Sequence, residues 1–253
     1  MPTFLLAPRQ VSLEGVVQIV GEDARHLARS LRASRGDTIT VVCEPGREHL
    51  VQLSTVTAET VIGNVVSSRD VKREPAARLH VIQAIPKGQG MGEVCERLAE
   101  VGVASIWPVV TERTVPRLDQ GQRSHRQNRW QRIAREAAQL AGRHVVPEVK
   151  GVRSLEEAVE RILSAPDRPQ MMACDSSGEL ALASVPWSPA EGTALVVGPE
   201  GGLGPEELKY LSARGAALVS LGPRNLRTIL AATVAAVALL SRSGDMEAAG
   251  ADR

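Results

Sequence analysis

Two short stretches of this sequence combine residue types that can hold a ligand and act on it. In residues 196–208, VVGPEGGLGPEEL, an apolar run enters Gly198, Pro199, Glu200, Gly201 and Gly202, and a helix is expected to start at Pro205, a residue favoured in a first turn. Adjacent glycines let a ligand approach the backbone closely. The loop does not read as a phosphate cradle, since it carries neither GxGxxG nor Gly-Lys followed by Ser or Thr. Glu206 and Glu207 fall in the first helical turn, where they complement the helix dipole and repel a phosphate. With Glu200 adding a further negative charge, a neutral or cationic ligand suits the loop better. The same glycines would also serve an ordinary strand-to-helix turn.

The second stretch, residues 221–230, LGPRNLRTIL, also follows an apolar run and opens a helix. Arg224 and Arg227 stand at the helix N-terminal end, where each cation is disfavoured by roughly 0.3–1 kcal/mol. A carboxylate or RNA phosphates are the natural partners for arginines kept in such a place, against the plainer reading of two solvated side chains. Arg227 and Arg224 are therefore the catalytic candidates. Glu200 is a weaker one, suited to accept a proton or to orient a ligand. Ligand contacts are expected from Val197, Gly198, Glu200, Gly201 and Gly202 on the first loop, and from Leu221, Gly222, Pro223, Asn225 and Leu226 on the second. From Thr228 to Leu240 no residue is charged. A helix without a polar face is buried nearly all round or packs on a partner subunit.

The elements that must position these loops follow from periodicity. Residues 1–73 read as a small β-barrel, with strands at 16–20, 38–42, 50–56 and 60–66 and one helix at 23–31 carrying Arg25, Arg29 and Arg32. A polar stretch at 67–77 with Pro75 reads as the linker. Beyond it the rhythm changes. Strands are expected at 78–84, 105–110, 171–174, 194–197 and 217–221, and helices at 93–101, 123–141, 154–163, 205–213 and 226–241. Alternating strands and helices imply a second, α/β domain over residues 74–253, with a parallel sheet covered on both faces.

Composition narrows the function classes. The 253 residues carry a net charge of +1, so a nucleic-acid surface must be local. Only 2% of the residues are aromatic, which disfavours recognition by base stacking. Cys43, Cys95 and Cys174 form no CxxC pair and the five histidines have no metal-ligand spacing, so no metal or disulfide framework is expected and a reducing cytoplasm fits. The apolar run near the C-terminus is shorter than the ~20 residues of a membrane span, and the first ten residues do not read as a signal peptide. Residues 112–153 hold ten Lys and Arg against four Asp and Glu. Arginines at 123, 126, 129, 132 and 135 spiral round the expected helix, where those away from Trp130 suit RNA phosphates or simply solvent.

The pairing of GPEGG with LGPR.LRT, roughly 20 residues apart, resembles the bacterial 16S rRNA uracil-N3 methyltransferase family of SPOUT enzymes. His26, Leu31, Arg32, Gly36 and Asp37 fit its N-terminal PUA-like barrel. Glu100, Gly102, Val103, Ile106, Pro108, Glu112 and Arg113 fit one internal segment, and Glu136, Gln139, Gly142, Arg143 and Pro147 fit another. Ile229, Leu230 and Gly92 depart from the family's usual Glu, Thr and Glu. The resemblance implies S-adenosyl-L-methionine as cofactor, a C-terminal trefoil knot, a homodimer, and a uridine of 16S rRNA in the small ribosomal subunit as substrate. Arg25, Arg32, Arg113, Arg126, Arg129 and Arg143 are the RNA-binding candidates. A 2′-O-ribose specificity, or an RNA-binding protein without turnover, would share most of these features.

Overall fold

The computed structural model describes residues 3–7, 10–12, 14–116, 119–166 and 168–247. They group into two compact units. One takes Met1–Glu74 together with Ala138–Val145, and the other takes Pro75–Ala137 and Val146–Ala249.

The first unit contains β1 (Thr3–Leu5), β2 (Val16–Val20), the short α1 (Glu22–Arg25) prolonged by a wider turn over His26–Ser30, β3 (Thr38–Glu44), β4 (Arg47–Val56) and β5 (Thr60–Asp70). The sheet order is β1-β3-β4-β5-β2; β1 runs parallel to β3 and the other pairs are antiparallel. Alternation places Val17, Ile19, Ile39, Val41, Val51, Leu53 and Val61 on one buried face with Phe4 and Leu27. Pro45 followed by Gly46, whose φ is +92°, supplies the tight turn between β3 and β4.

Two sequence expectations change in this unit. The supposed linker at 67–77 is strand as far as Asp70. Arg143, assigned above to RNA, is 4% exposed. Its Nε and Nη2 donate to Glu74 Oε2 at 3.2 and 2.7 Å, while the His144 and Val145 amides donate to Glu74 Oε1 at 2.8 and 3.1 Å. His144 Nδ1 accepts the Gly46 amide at 2.9 Å, and its Nε2 faces Glu48 Oε1 at 3.3 Å. Burial pushes the Glu48 carboxyl up, but hydrogen bonds from Arg69, His144 and Arg73 outweigh it and hold the group below its ordinary range. Removing one partner of a buried ion pair leaves an uncompensated charge, so Arg143 is a structural clamp.

The second unit runs β6 (Leu79–Ala84), α2 (Gly90–Val101), β7 (Ser105–Val110), α3 (Gln120–Leu140, whose last turn belongs to the first unit), β8 (Glu148–Val149), β9 (Arg153–Ser154), α4 (Leu155–Leu163), β10 (Gln170–Cys174), β11 (Leu180–Ala181), β12 (Thr193–Val197), α5 (Pro205–Ala213), β13 (Ala217–Ser220) and α6 (Thr228–Arg242). The sheet order is β11-β13-β10-β12-β6-β7-β8, with β9 on β7, and the pairings are parallel. The central strands β6, β7, β10 and β12 are mostly apolar and buried on both faces, as a covered parallel sheet requires. Val81, Met172, Leu195 and Val219 pack towards α2, α3 and α6, while Ile82, Ala173 and Val196 pack towards α4 and α5.

Helix α6 is buried along one face, through Ala231, Ala232, Ala235, Ala236, Leu239 and Leu240. The expectation of burial nearly all round fails on the other side, where Leu230 is 43% exposed and Val234 and Val237 are half-buried. The buried alanines bring the helix axis close to the sheet, and the apolar outer side is left without a cover from the described chain.

Candidate functional site

The carboxyl ends of β10, β12 and β13 lie side by side in the sheet, and in open α/β sheets ligands bind beyond such ends. A cavity of about 810 Å³ opens there. Its walls are the loop after β12, the loop after β13 and a third loop, after β10, which sequence reading missed. That third loop brings Asp175, Ser176, Gly178 and Glu179. A signal for it was present. DSSGE follows an apolar strand, as the other two loops do, but only the sheet order shows that the three strands are neighbours.

Of the expected ligand contacts, Val197, Gly198, Glu200, Gly202, Leu221, Gly222, Pro223, Asn225 and Leu226 line the cavity, as do Arg224 and Arg227. Gly201 does not appear on its wall. A Cβ there would meet the Arg113 side chain at 3.5 Å, which is ordinary contact. Gly198 is the tight position, since a Cβ on it would stand 2.9 Å from the Gly202 carbonyl carbon and the Leu203 nitrogen. The loop doubles back on itself here, with Gly202 at φ +71° completing the turn.

Several polar groups of the β12 loop are engaged by protein partners. Glu200 Oε1 accepts the Lys87 amide at 3.0 Å. Arg113 Nη1 donates to the Gly201 carbonyl at 2.8 Å, which gives this arginine a partner in the loop. Glu207, only 8% exposed, takes the Gly204 amide at 2.7 Å and the Glu112 amide at 2.8 Å. Glu207 thus caps α5 from its third position.

The β13 loop is different. Arg224 and Arg227 are exposed to the cavity, and among the described residues neither side chain has a hydrogen-bond or ion-pair partner. Opposite charges stand on the other loops: Asp175, Glu179 and Glu200. Asp175 Oδ1 accepts the Ser177 amide and hydroxyl at 2.9 and 2.7 Å. Cys174 also touches the cavity, but burial, with Asp175 adding to it, pushes its thiol up to about 12. It is a neutral wall group at ordinary pH, not a nucleophile.

The other RNA candidates fall on both units. Arg25 and Arg32 lie exposed on the first unit, and Arg32 has φ +52°, uncommon for a residue with a Cβ. Arg126 and Arg129 lie on α3 in the second unit, and Arg129 Nη1 donates to Gln89 Oε1 at 2.8 Å. Among the described residues no cluster of three or more His, Cys, Asp or Glu could hold a metal ion. No helix among them is long and apolar enough to cross a membrane.

A parallel α/β domain with glycine-rich loops converging over three adjacent strand ends, lined by acid on one side and free arginine on the other, defines a ligand-binding enzyme domain of the α/β class. The chain belongs to the RNA methyltransferase family, whose RNA methyltransferase domain model matches residues 72–241. It is 29% identical over 228 residues to ribosomal RNA small subunit methyltransferase E of Bacillus subtilis, covering 88% of this chain and 89% of that protein. It is 30% identical over 243 residues to the protein of the same name from Mycobacterium bovis, covering 92% and 90%. The crystal structure of ribosomal RNA small subunit methyltransferase E from Neisseria gonorrhoeae, bound to S-adenosyl methionine, shares the fold with a TM-score of 0.85 at 27% identity, over 96% of this chain and 98% of that one.

Proposed function

We propose that this chain methylates N3 of a uridine in 16S rRNA of the small ribosomal subunit, with S-adenosyl-L-methionine as donor. The observation that carries the reading is the cavity itself, with a tightly folded glycine loop and carboxylates on one side and two arginines without protein partners on the other. The residues fit the donor. Backbone groups of Val197, Gly198, Gly202, Leu221, Gly222, Pro223, Asn225 and Leu226 would hold its neutral parts, and Asp175 and Glu179 complement its positive charge. When bound, S-adenosyl-L-methionine supplies a methyl group already activated by the sulfonium.

The protein's share is then alignment of the acceptor and stabilisation of charge. Arg227 and Arg224 would face the uracil, offset negative charge on its oxygens as N3 loses a proton, or grip the adjacent phosphate. Glu200 is engaged by the Lys87 amide, which suits a loop brace better than a general base. Arg25, Arg32, Arg126 and Arg129 would meet phosphates. Within this reading the first unit is a PUA-like barrel, the β10–α6 region closes a trefoil knot, the apolar outer side of α6 is the seam of a homodimer, and the protein works in the cytoplasm.

The test is transfer of radiolabelled methyl groups to small subunits and to free 16S rRNA, followed by nucleoside analysis. Label in 3-methyluridine supports the reading. Label in a 2′-O-methylribose, or none on either RNA, overturns it.

A further inference from the structure

One buried polar chain starts at the cavity wall with Thr228 and runs behind it to Gln83. Thr228, the first residue of α6 and 5% exposed, donates its hydroxyl to the Gly198 carbonyl at 2.5 Å. The same hydroxyl accepts from Gln83 Nε2 at 2.9 Å, and that amide also donates to the Ala84 carbonyl at 2.8 Å. Gln83 is completely buried in β6, opposite Val197 in the ladder. Its Oε1 is buried with no hydrogen-bond partner among the described residues. Gly198 follows the last ladder residue of β12, so no sheet neighbour fixes its carbonyl; the Thr228 hydroxyl does.

We infer that Gln83 and Thr228 are positioning residues of the donor site: they act through the Gly198 carbonyl and lock the β12 loop to the start of α6. This rests on the cofactor reading above. Three things follow from the chemistry. A hydroxyl can donate only one hydrogen bond, and the Gln83 amide, arriving as a donor, commits that proton to Gly198. The loop's tightest residue is thereby tied to the residue next to Arg227, so two of the cavity's three walls share one fixed point. Finally, the Gln83 amide oxygen is buried without a partner among the described residues, a desolvation cost that works against the two hydrogen bonds the amide donates. A residue placed there for packing alone would be apolar.

Recovery by the conservative hydroxyl variant separates positioning from packing. The experiment measures, on full-length protein, the thermal midpoint and the S-adenosyl-L-methionine affinity by calorimetry, together with KM and kcat on small subunits. Gln83→Met removes the amide and keeps the volume. Because it takes this donor from the buried Ala84 carbonyl and Thr228 hydroxyl, it is expected to lower the thermal midpoint slightly and, while still folded, to bind S-adenosyl-L-methionine about tenfold more weakly. Thr228→Val is expected to lose about tenfold as well, Thr228→Ser to restore most of that loss, and the double variant Gln83→Met with Thr228→Val to lose little more than either single one, because the two act in series. The change should appear in KM for the donor more than in kcat. If Thr228→Ser binds no better than Thr228→Val, or if folded Gln83→Met and Thr228→Val both bind at the parental affinity, the relay is merely structural and the inference falls. A parent that binds no S-adenosyl-L-methionine overturns the cofactor reading instead, and the inference with it.

Discussion

Two of the three loops that converge on the cavity differ in how their polar groups are partnered. In the β12 loop, Glu200, Gly201, Gly204 and Glu207 are all engaged by protein groups, from Lys87, Arg113 and Glu112 or within the loop. In the β13 loop, Arg224 and Arg227 keep two full charges facing the cavity without a partner among the described residues. A braced loop loses little freedom when a ligand arrives, so it can hold one cheaply. Free cations are costly to leave at a helix start and gain only when something negative comes. The contrast assigns holding to the first loop and charge stabilisation to the second.

The largest effect is expected from the unpartnered side. Losing one charge-stabilising donor in a dry site lowers rate by ~10²–10³, so Arg227→Ala should cut methyl transfer by about that factor while S-adenosyl-L-methionine affinity stays near the parental value. Single-turnover kinetics at saturating RNA measures the first, calorimetry the second. Parental rates in both Arg227→Ala and Arg224→Ala would make the arginines structural and erase the contrast.

Next comes the tight glycine. Overpacking typically costs about 1–3 kcal/mol, so Gly198→Ala, whose Cβ would stand 2.9 Å from backbone atoms, should weaken cofactor binding roughly ten- to a hundredfold. Gly201→Ala makes only ordinary contact at 3.5 Å and should cost much less. The reverse order would show that the loop folds otherwise.

A smaller effect is expected at Arg113, where an exposed hydrogen bond to Gly201 is at stake. A net loss of ~0.5–1.5 kcal/mol corresponds to about two- to tenfold in donor KM. The slope of RNA affinity against salt should stay the same; a drop of about 0.7–0.9 units would place Arg113 on a phosphate after all.

Smallest is Glu200→Gln. The amide oxygen can still accept the Lys87 N–H, so the expected loss is ~0.5 kcal/mol, about twofold in turnover. A general base removed would cost ~10²–10⁴, and such a fall would return Glu200 to the chemistry.

Local patterns decided much of this protein. Apolar β-branched runs, glycines after strand ends, Pro205 at a helix start and Gly142 at φ +69° after α3 are encoded in near neighbours, and they placed both known loops and the parallel α/β class. The same patterns could not say which strands lie side by side. Asp175 and Glu179 reach the cavity only because β10 pairs with both β12 and β13. Gln83 and Thr228, 145 residues apart, meet only because α6 starts against β6. Charge was equally ambiguous along the chain: Arg143 and Arg227 look alike as residue types, yet Glu74 buries one and the end of β13 presents the other to the cavity. Sequence fixes what a residue can do within a turn or two of backbone. Which opposite charge, carbonyl or ligand it meets is a long-range packing outcome, because burial and pairing energies depend on elements that periodicity cannot order.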